Sequence, residues 1–122
     1  MYANDFDDRL PPAKTWMDKT MPYSKDKWSY RCPALQRSGP NEFGHAFRRS
    51  LGGIDVGNAS NPDQEAMIFD STDLTWNANG PLSLLPFPGR LREGKNGIAF
   101  LSGHATTLTR QQLLGLYSRF QP

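Results

Sequence analysis

Few residues of this chain could do acid–base or nucleophilic chemistry. It has two histidines, His45 and His104, and a single cysteine, Cys32. His45 stands between two phenylalanines, just before paired arginines, in the stretch NEFGHAFRR, and His104 follows Ser-Gly. Nucleophilic catalysis needs a nucleophile, a base and a group that orients the base. No Gly-x-Ser-x-Gly motif supplies such a nucleophile, so the sequence predicts no catalytic residue.

Metal and phosphate chemistry have equally little support in the sequence. A metal site would have to combine Cys32, His45 and His104 with a carboxylate, and their spacing matches no familiar ligand pattern. The segment EGKNG shares only glycine and lysine with a phosphate-binding loop. The acidic residues Asp63 and Glu65 are explained as first-turn residues of a helix. We therefore predict no metal, no cofactor and no enzymatic activity.

Binding is a better interpretation of NEFGHAFRR. Arginines are interspersed with aromatic residues here, which is the mixture found in proteins that stack single-stranded nucleic acid: Trp28, Tyr30, Arg31, Arg37, Phe43, Phe47, Arg48 and Arg49. The net charge of only +2, and an acidic segment at residues 51–75, argue against a nucleic-acid partner. The stretch is better read as an adhesive segment for a protein partner, with Phe43 and Phe47 as anchors and His45 as a hydrogen-bonding spacer.

The composition predicts little regular structure. The chain has 11 glycines and 10 prolines, and Leu, Ile, Val and Phe make up just under a fifth of it. Its β-branched aliphatic residues are only Ile54, Val56, Ile68 and Ile98. We expect a mostly irregular or extended chain with two or three short α-helices, little β-structure and no large independent core.

Four segments follow from the distribution of prolines, glycines and charges. Residues 1–40 are predicted as an extended arm of prolines and aromatics, and residues 41–70 as short helical segments with an acidic insert. Residues 71–106 are predicted as a loop rich in proline and glycine, and residues 107–122 as a capped C-terminal helix.

Three helices are predicted within these segments. Phe43, Phe47 and Leu51 follow the spacing of one helical face, which indicates a helix over 41–51. Pro62 suits the first position of a second helix, which would run from residue 61 to about 70. The third helix would span about 110–120.

The third helix has the clearest local signals. Thr109 and Gln112 have the spacing of a capping box, in which each side chain bonds to the other's backbone N–H. Leu108 and Leu113 have the spacing of a hydrophobic staple. A start near residue 110 follows from these pairs.

The chain shows no feature of a secreted or membrane protein. Residues 1–20 contain several aspartates and no apolar run, so we expect neither a signal peptide nor a transit segment. The longest apolar stretches are too short to span a bilayer. A lone cysteine forms no intrachain disulfide. We predict a cytoplasmic location and no membrane partner.

The segment from Lys27 to Phe47, KWSYRCPALQRSGPNEFGHAF, resembles pieces of small proteins that line the inside of ciliary doublet microtubules. Those proteins are short, irregular and punctuated by proline and glycine, and they dock Trp-x-x-Arg and Phe-Gly-His-type stretches on tubulin. The resemblance covers about a sixth of the chain and does not reach the C-terminal helix. It implies a structural role without catalysis in the cytoskeleton of the ciliary or flagellar axoneme. The residues that would contact tubulin or a neighbouring lumenal protein are Trp28, Arg31, Phe43, His45 and Phe47.

The sequence thus predicts a non-catalytic structural protein that docks on a larger assembly. The predicted partner-binding residues are Trp16, Trp28, Tyr30, Arg31, Phe43, His45, Phe47, Arg48 and Arg49. A compact structural subunit of another complex, such as a virion or a respiratory complex, is the alternative, and a small protein that binds RNA or single-stranded DNA is another. A tubulin-bound chain would be extended, whereas a compact subunit would bury Trp16, Trp28 and Trp76 together.

Overall fold

A five-stranded β-sheet forms the centre of the molecule. A computed structural model of the protein describes residues 9–25, 30, 42–58, 62–86, 89, 91, 94–113 and 115. In chain order the elements are helix α1 (Trp16–Ser24) and strands β1 (His45–Arg48), β2 (Ala66–Asp70), β3 (Asn79–Gly80), β4 (Lys95–Phe100) and β5 (Ala105–Thr109). The prediction of a mostly irregular chain with little β-structure and no large core is therefore wrong.

The strand order is β3-β1-β2-β4-β5. Strand β3 runs parallel to β1, and every other neighbouring pair is antiparallel. Single 3-10 turns occupy Ala13–Thr15, Arg49–Leu51, Val56–Asn58, Pro62–Gln64 and Leu82–Leu84. Within the described residues, no helix combines the length and the apolar character needed to cross a bilayer.

The helix predicted over 41–51 is a strand followed by a turn. Gly44 has a φ of +94°, a conformation that interrupts a helix and that residues other than glycine rarely adopt. Strand β1 follows it, and Arg49–Leu51 closes a 3-10 turn. Phe43, Phe47 and Leu51 still share one cluster, because the turn brings Leu51 back beside the strand. Their common burial, rather than a helix, explains the apolar spacing.

The helix predicted over 61–70 is also wrong. Pro62 begins only the 3-10 turn Pro62–Gln64, and the chain then enters β2. Strand β2 lies between β1 and β4, so its backbone groups are paired on both sides. That tertiary pairing overrides the local helix signals. An irregularity between Ala66 and Ile68 lets Met67 and Ile68 both join the same cluster.

Two apolar clusters cover the two faces of the sheet. On one face Ala46, Phe69 and Ile98 pack with Leu85 and with Leu113 of the C-terminal helical segment. On the other face, residues 10–13 and α1 pack over the sheet, with the buried side chains Leu10, Ala13, Trp16, Met17, Phe43, Phe47, Leu51 and Leu101. Because large aromatic side chains provide much of this buried area, the scarcity of Val and Ile does not prevent a core.

Helix α1 lies in the segment that was predicted to be extended. Pro22 lies in the last turn of the helix, where its missing N–H removes one intrahelical hydrogen bond, to the Asp18 carbonyl, and the helix ends two residues later. Lys25 follows the last helical residue and caps the helix: its φ is +60°, and its N–H donates to the Met21 carbonyl at 2.7 Å. The prolines of this segment thus limit the helix without preventing it.

The start of the C-terminal helical segment is held by two reciprocal hydrogen bonds. The Thr109 N–H donates to Gln112 Oε1 at 2.9 Å, and the Gln112 N–H donates to Thr109 Oγ1 at 3.0 Å. Residues 110–113 and 115 are helical, and the remainder of the predicted helix lies outside the described residues. Leu113 is buried against the sheet, and Leu108 packs on the same cluster.

Candidate functional site

His45 and Asp70 face each other where β1 and β2 pair. The register places His45 opposite Asp70, so both side chains project from the same face of the sheet. His45 Nε2 lies 3.2 Å from Asp70 Oδ1, and His45 Nδ1 lies 2.9 Å from the Tyr30 carbonyl oxygen. Asp70 is almost completely buried, at 2% exposure, whereas the imidazole is 25% exposed.

The second oxygen of Asp70 is also engaged. The Gly97 N–H donates to Asp70 Oδ2 at 2.8 Å, from the neighbouring strand β4. A buried carboxylate without such partners would be strongly destabilising. Asp70 therefore links β1, β2 and β4 through its two oxygens, and it also fixes the orientation of the imidazole.

The hydrogen bonds of His45 determine what the imidazole can do. A carbonyl oxygen only accepts hydrogen bonds, so Nδ1 must carry a proton and donate to Tyr30. Nε2 faces a carboxylate, which also accepts, so the doubly protonated imidazolium satisfies both contacts. A general base needs a nitrogen lone pair that points at the substrate. Both ring nitrogens of His45 are instead directed at groups of the protein, and the ring joins the backbone at Tyr30 to the sheet.

Next to this pair, five aromatic rings pack in one continuous row. Trp76 contacts Phe43 and Tyr30, with ring centroids 5.1 and 5.3 Å apart. Tyr30 contacts Trp16 at 5.7 Å, and Trp16 contacts Phe47 at 5.8 Å. Edge-to-face and tilted contacts of this kind each add about 0.5–1.5 kcal/mol beyond the buried area. Trp16 and Trp76 thus belong to one cluster, while Trp28 lies outside the described residues.

A groove lies between α1 and the sheet, and we refer to it as the aromatic groove. It has a volume of about 730 Å³. Its lining is mainly apolar, with a few hydroxyl groups: Leu10, Pro11, Trp16, Thr20, Tyr23, Ser24, Tyr30, Phe47, Val56, Met67, Ile68, Leu101, Ser102 and Gly103. A smaller cavity of about 350 Å³ shares Trp16, Tyr30 and Ile68 with it and reaches His45.

Hydroxyl groups cluster at one end of the aromatic groove. The Tyr30 hydroxyl lies 2.6 Å from Thr20 Oγ1, and the Ser24 hydroxyl donates to the Tyr30 oxygen at 2.9 Å. Thr20 Oγ1 also lies 2.9 Å from the Trp16 carbonyl, to which it can donate. These groups connect α1 to Tyr30 and leave the groove surface largely apolar.

The paired arginines bind within the molecule. Arg48 Nη1 lies 2.7 Å from Glu65 Oε2, and Arg49 donates through Nε to Asn79 Oδ1 at 2.9 Å. Arg49 also donates to the Asn79 carbonyl at 3.2 Å. Arg49 therefore holds the 3-10 turn Arg49–Leu51 against strand β3, whereas Arg48 joins β1 to the residue that precedes β2.

The predicted partner-binding residues differ in how deeply the structure buries them. Trp16, Phe43 and Phe47 are buried, so in this folded form their side chains belong to the core. Tyr30 and His45 are half-buried and line the smaller cavity, and Trp28 and Arg31 lie outside the described residues. Sequence reasoning missed Asp70, because an isolated aspartate carries no pattern that predicts burial opposite a histidine.

His104 takes part in a tight turn. It is exposed at the β4–β5 hairpin, and its ring stacks on Phe100 with centroids 5.8 Å apart. The neighbouring Ser102 hydroxyl oxygen accepts a long hydrogen bond of 3.4 Å from the His104 N–H. Ser102 and His104 thus have local contacts that account for their positions.

The described residues form a small domain with a mixed sheet, helix α1 over one face of it and an apolar groove. Among the described residues, no group of three or more His, Cys, Asp or Glu side chains is placed to hold a metal ion. No family model, no curated protein and no solved structure matches the chain.

Proposed function

We propose that this protein is a non-catalytic structural protein that docks on a larger protein assembly through the aromatic groove. The observation that carries the proposal is the groove itself, a concave surface of about 730 Å³ lined by aromatic and aliphatic side chains. Pockets of this size and composition accept apolar groups. The occupant is an apolar or aromatic side chain of a protein partner.

The surroundings of the groove support binding more than chemistry. His45 and Asp70 are each held by contacts inside the chain, so they act in positioning Tyr30 at the groove wall. Tyr23 lies on the groove rim and is the one large hydrophobic side chain exposed among the described residues, at 37%. A partially exposed tyrosine beside an apolar groove is typical of an interface residue.

The microtubule lumen is the first assembly to test because of the resemblance at Lys27 to Phe47, although the sheet core differs from the extended chain expected of a tubulin-bound protein. Phe43 and Phe47 are core residues in the folded chain, so the proposed contact lies at Tyr23 and the groove. Arg48 is paired with the Glu65 carboxylate, which neutralises one of the cations on which a nucleic-acid interface would depend, and the Arg49 guanidinium is held by Asn79.

The experiment is co-assembly with tubulin. Tubulin is polymerised in the presence of the protein, so that the lumen is accessible, and the polymer is pelleted. We expect the wild-type protein to pellet with it and Tyr23→Ala to bind about tenfold or more weakly, as for an interface anchor. Lys14→Ala is the matched control, since Lys14 is also exposed but does not line the groove. A wild-type protein that stays in the supernatant would contradict the microtubule proposal.

The compact core favours a second candidate, a structural subunit of another large complex. Trp16 and Trp76 share one cluster through Tyr30, as expected for a compact subunit. This candidate predicts that a tagged copy sediments with a large particle that contains no tubulin, and that Tyr23→Ala reduces that association.

A further inference from the structure

Strand β5 is an outer strand of the sheet. It pairs with β4 on one side, and no strand of the described part of the chain pairs with its other side. Its sequence, Ala-Thr-Thr-Leu-Thr, contains neither a charged residue nor a proline. Proteins usually protect an edge strand with such residues, because its backbone can pair with another chain. An edge without that protection is open to pairing with a further strand.

The β4–β5 hairpin shows which backbone groups point outward. The Phe100 N–H donates to the His104 carbonyl at 2.7 Å. Hydrogen-bonded and non-hydrogen-bonded pairs alternate along an antiparallel ladder, so Thr106 and Leu108 also bond to β4. The N–H and C=O groups of Ala105 and Thr107 therefore point away from the sheet. Among the contacts of the described residues, none involves these four groups.

We propose that the protein forms a symmetric dimer in which β5 pairs antiparallel with β5 of a second copy. Thr106 lies on the two-fold axis, opposite Thr106 of the partner subunit. Ala105 then lies opposite Thr107 of the partner subunit, and Thr107 opposite the partner's Ala105. Each pair exchanges two backbone hydrogen bonds, so all the outward groups of Ala105 and Thr107 in both copies are satisfied.

Of the registers centred on Ala105, Thr106 and Thr107, only the one centred on Thr106 uses backbone N–H groups that are not already hydrogen-bonded. A dimer centred on Thr107 would pair Ala105 with the partner's Thr109, but the Thr109 N–H already donates to Gln112. A dimer centred on Ala105 would pair Thr107 with the partner's Gly103, but the Gly103 N–H already donates to the Phe100 carbonyl at 2.9 Å. The capping box and the hairpin turn thus limit the free edge to the segment between them.

The side chains along this register are compatible with a second copy. Beyond the paired strands, His104 lies opposite Leu108 of the partner subunit, and Ser102 lies opposite the partner's Arg110. No two like charges face each other, which would be destabilising in a cross-strand pair. Two identical edges can therefore meet without electrostatic repulsion.

A disulfide test measures both the dimer and its register. Directly opposite residues in a non-hydrogen-bonded pair have Cα atoms about 4.5 Å apart, which suits a disulfide. With Cys32 replaced by Ser, Thr106→Cys should form a covalent dimer under mild oxidation. Thr107→Cys is the matched control, because Cys at 107 would face the partner's Ala105 and should remain monomeric. A covalent dimer from Thr107→Cys alone, or none from either variant, would overturn the proposal.

A second measurement needs no cysteine. Sedimentation velocity of the wild-type chain should show a dimer that increases with protein concentration. Thr107→Pro should abolish it while leaving the thermal melt intact, since the Thr107 N–H points away from β4 and proline is tolerated at such edge positions. A wild-type chain that stays monomeric at its highest soluble concentration, or a folded Thr107→Pro variant that still dimerises, would refute the β5 dimer.

Discussion

Asn77 caps helix α1 from a distant part of the chain, and it does so together with Asp18. Asn77 Oδ1 accepts hydrogen bonds from the N–H groups of Met17 at 2.8 Å and Asp18 at 3.2 Å. In return, Asn77 Nδ2 donates to Asp18 Oδ2 at 2.7 Å. Thr15, the residue that precedes the helix, makes no side-chain cap. The first turn of α1 is therefore completed by tertiary structure, and this attachment holds the wall of the aromatic groove.

Replacing Asn77 should loosen α1. Asn77→Ala removes the cap, worth about 1 kcal/mol, and places alanine at a φ of +62°, a conformation that asparagine adopts more readily, which adds about 1 kcal/mol of strain. We expect the free energy of unfolding, measured in urea, to fall by roughly 2 kcal/mol in total. Asn77→Gly separates the two effects, since it loses the cap without the strain. Equal losses in both variants would contradict the strain contribution.

Low pH should weaken the hydrogen bonds that Asp18 accepts from Trp76 and Asn77. Hydrogen bonds from Trp76 and then Asn77 lower the pKa of Asp18 below its ordinary value of 3.8. The folded protein thus binds this proton less readily than the unfolded chain does, so the contribution to stability is present above pH 3.8 and is lost as the pH falls through the lower folded-state pKa. Asp18→Asn should lose less stability over this acidic range, measured by urea unfolding at each pH. An identical pH dependence in both proteins would contradict the assignment.

Phe43 and Phe47 should behave as core residues. Each is about 1% exposed, so truncation to alanine removes a large buried ring and leaves a cavity. We expect Phe47→Ala to lower the free energy of unfolding by about 3–5 kcal/mol in the isolated protein. Tyr23→Ala is the control, because Tyr23 is exposed and should cost well under 1 kcal/mol. A Phe47→Ala protein with wild-type stability would show that the ring serves a partner instead of the core.

Two glycines should respond to alanine in opposite directions. A Cβ at Gly52 would lie 2.7 Å from the Ala13 backbone nitrogen, so Gly52→Ala must displace the 3-10 turn beside it and should lower the melting temperature. Gly115 is exposed and helical, and a Cβ there meets no atom within 4 Å. Gly115→Ala should stabilise the protein by about 0.5–1 kcal/mol. A melting temperature lowered in both variants would contradict the helical position of Gly115.

The failure of the fold prediction has a specific cause. Composition suggested too little Val and Ile for strands, but a strand is stabilised by its neighbours, and β2 has neighbours on both sides. Nothing in the local sequence of Ala66–Asp70 indicates that β1 and β4 will pair with it. The helix start signals at Pro62 lead into one 3-10 turn only, and the chain then enters β2.

The environments of the predicted binding residues also depend on contacts that local sequence does not show. An aromatic residue that anchors a partner and one that fills a core have the same chemistry, so sequence alone did not show that Phe43 is buried and Tyr23 exposed. The pairing of His45 with Asp70 depends on the register between β1 and β2. The ion pair of Arg48 with Glu65 likewise joins β1 to the residue that precedes β2. These contacts join residues that are far apart in the sequence.

What the sequence by itself determined is a local contact between residues three positions apart. The capping box of Thr109 and Gln112 is of this kind, because both partners are fixed by their spacing on one helical turn. Tertiary structure alone decided the strands, the burial of Phe43 and Phe47, and the capping of α1 by Asn77. Those features require backbone and side-chain groups from distant segments to meet, and their stability comes from pairing and burial that exist only after the sheet has formed.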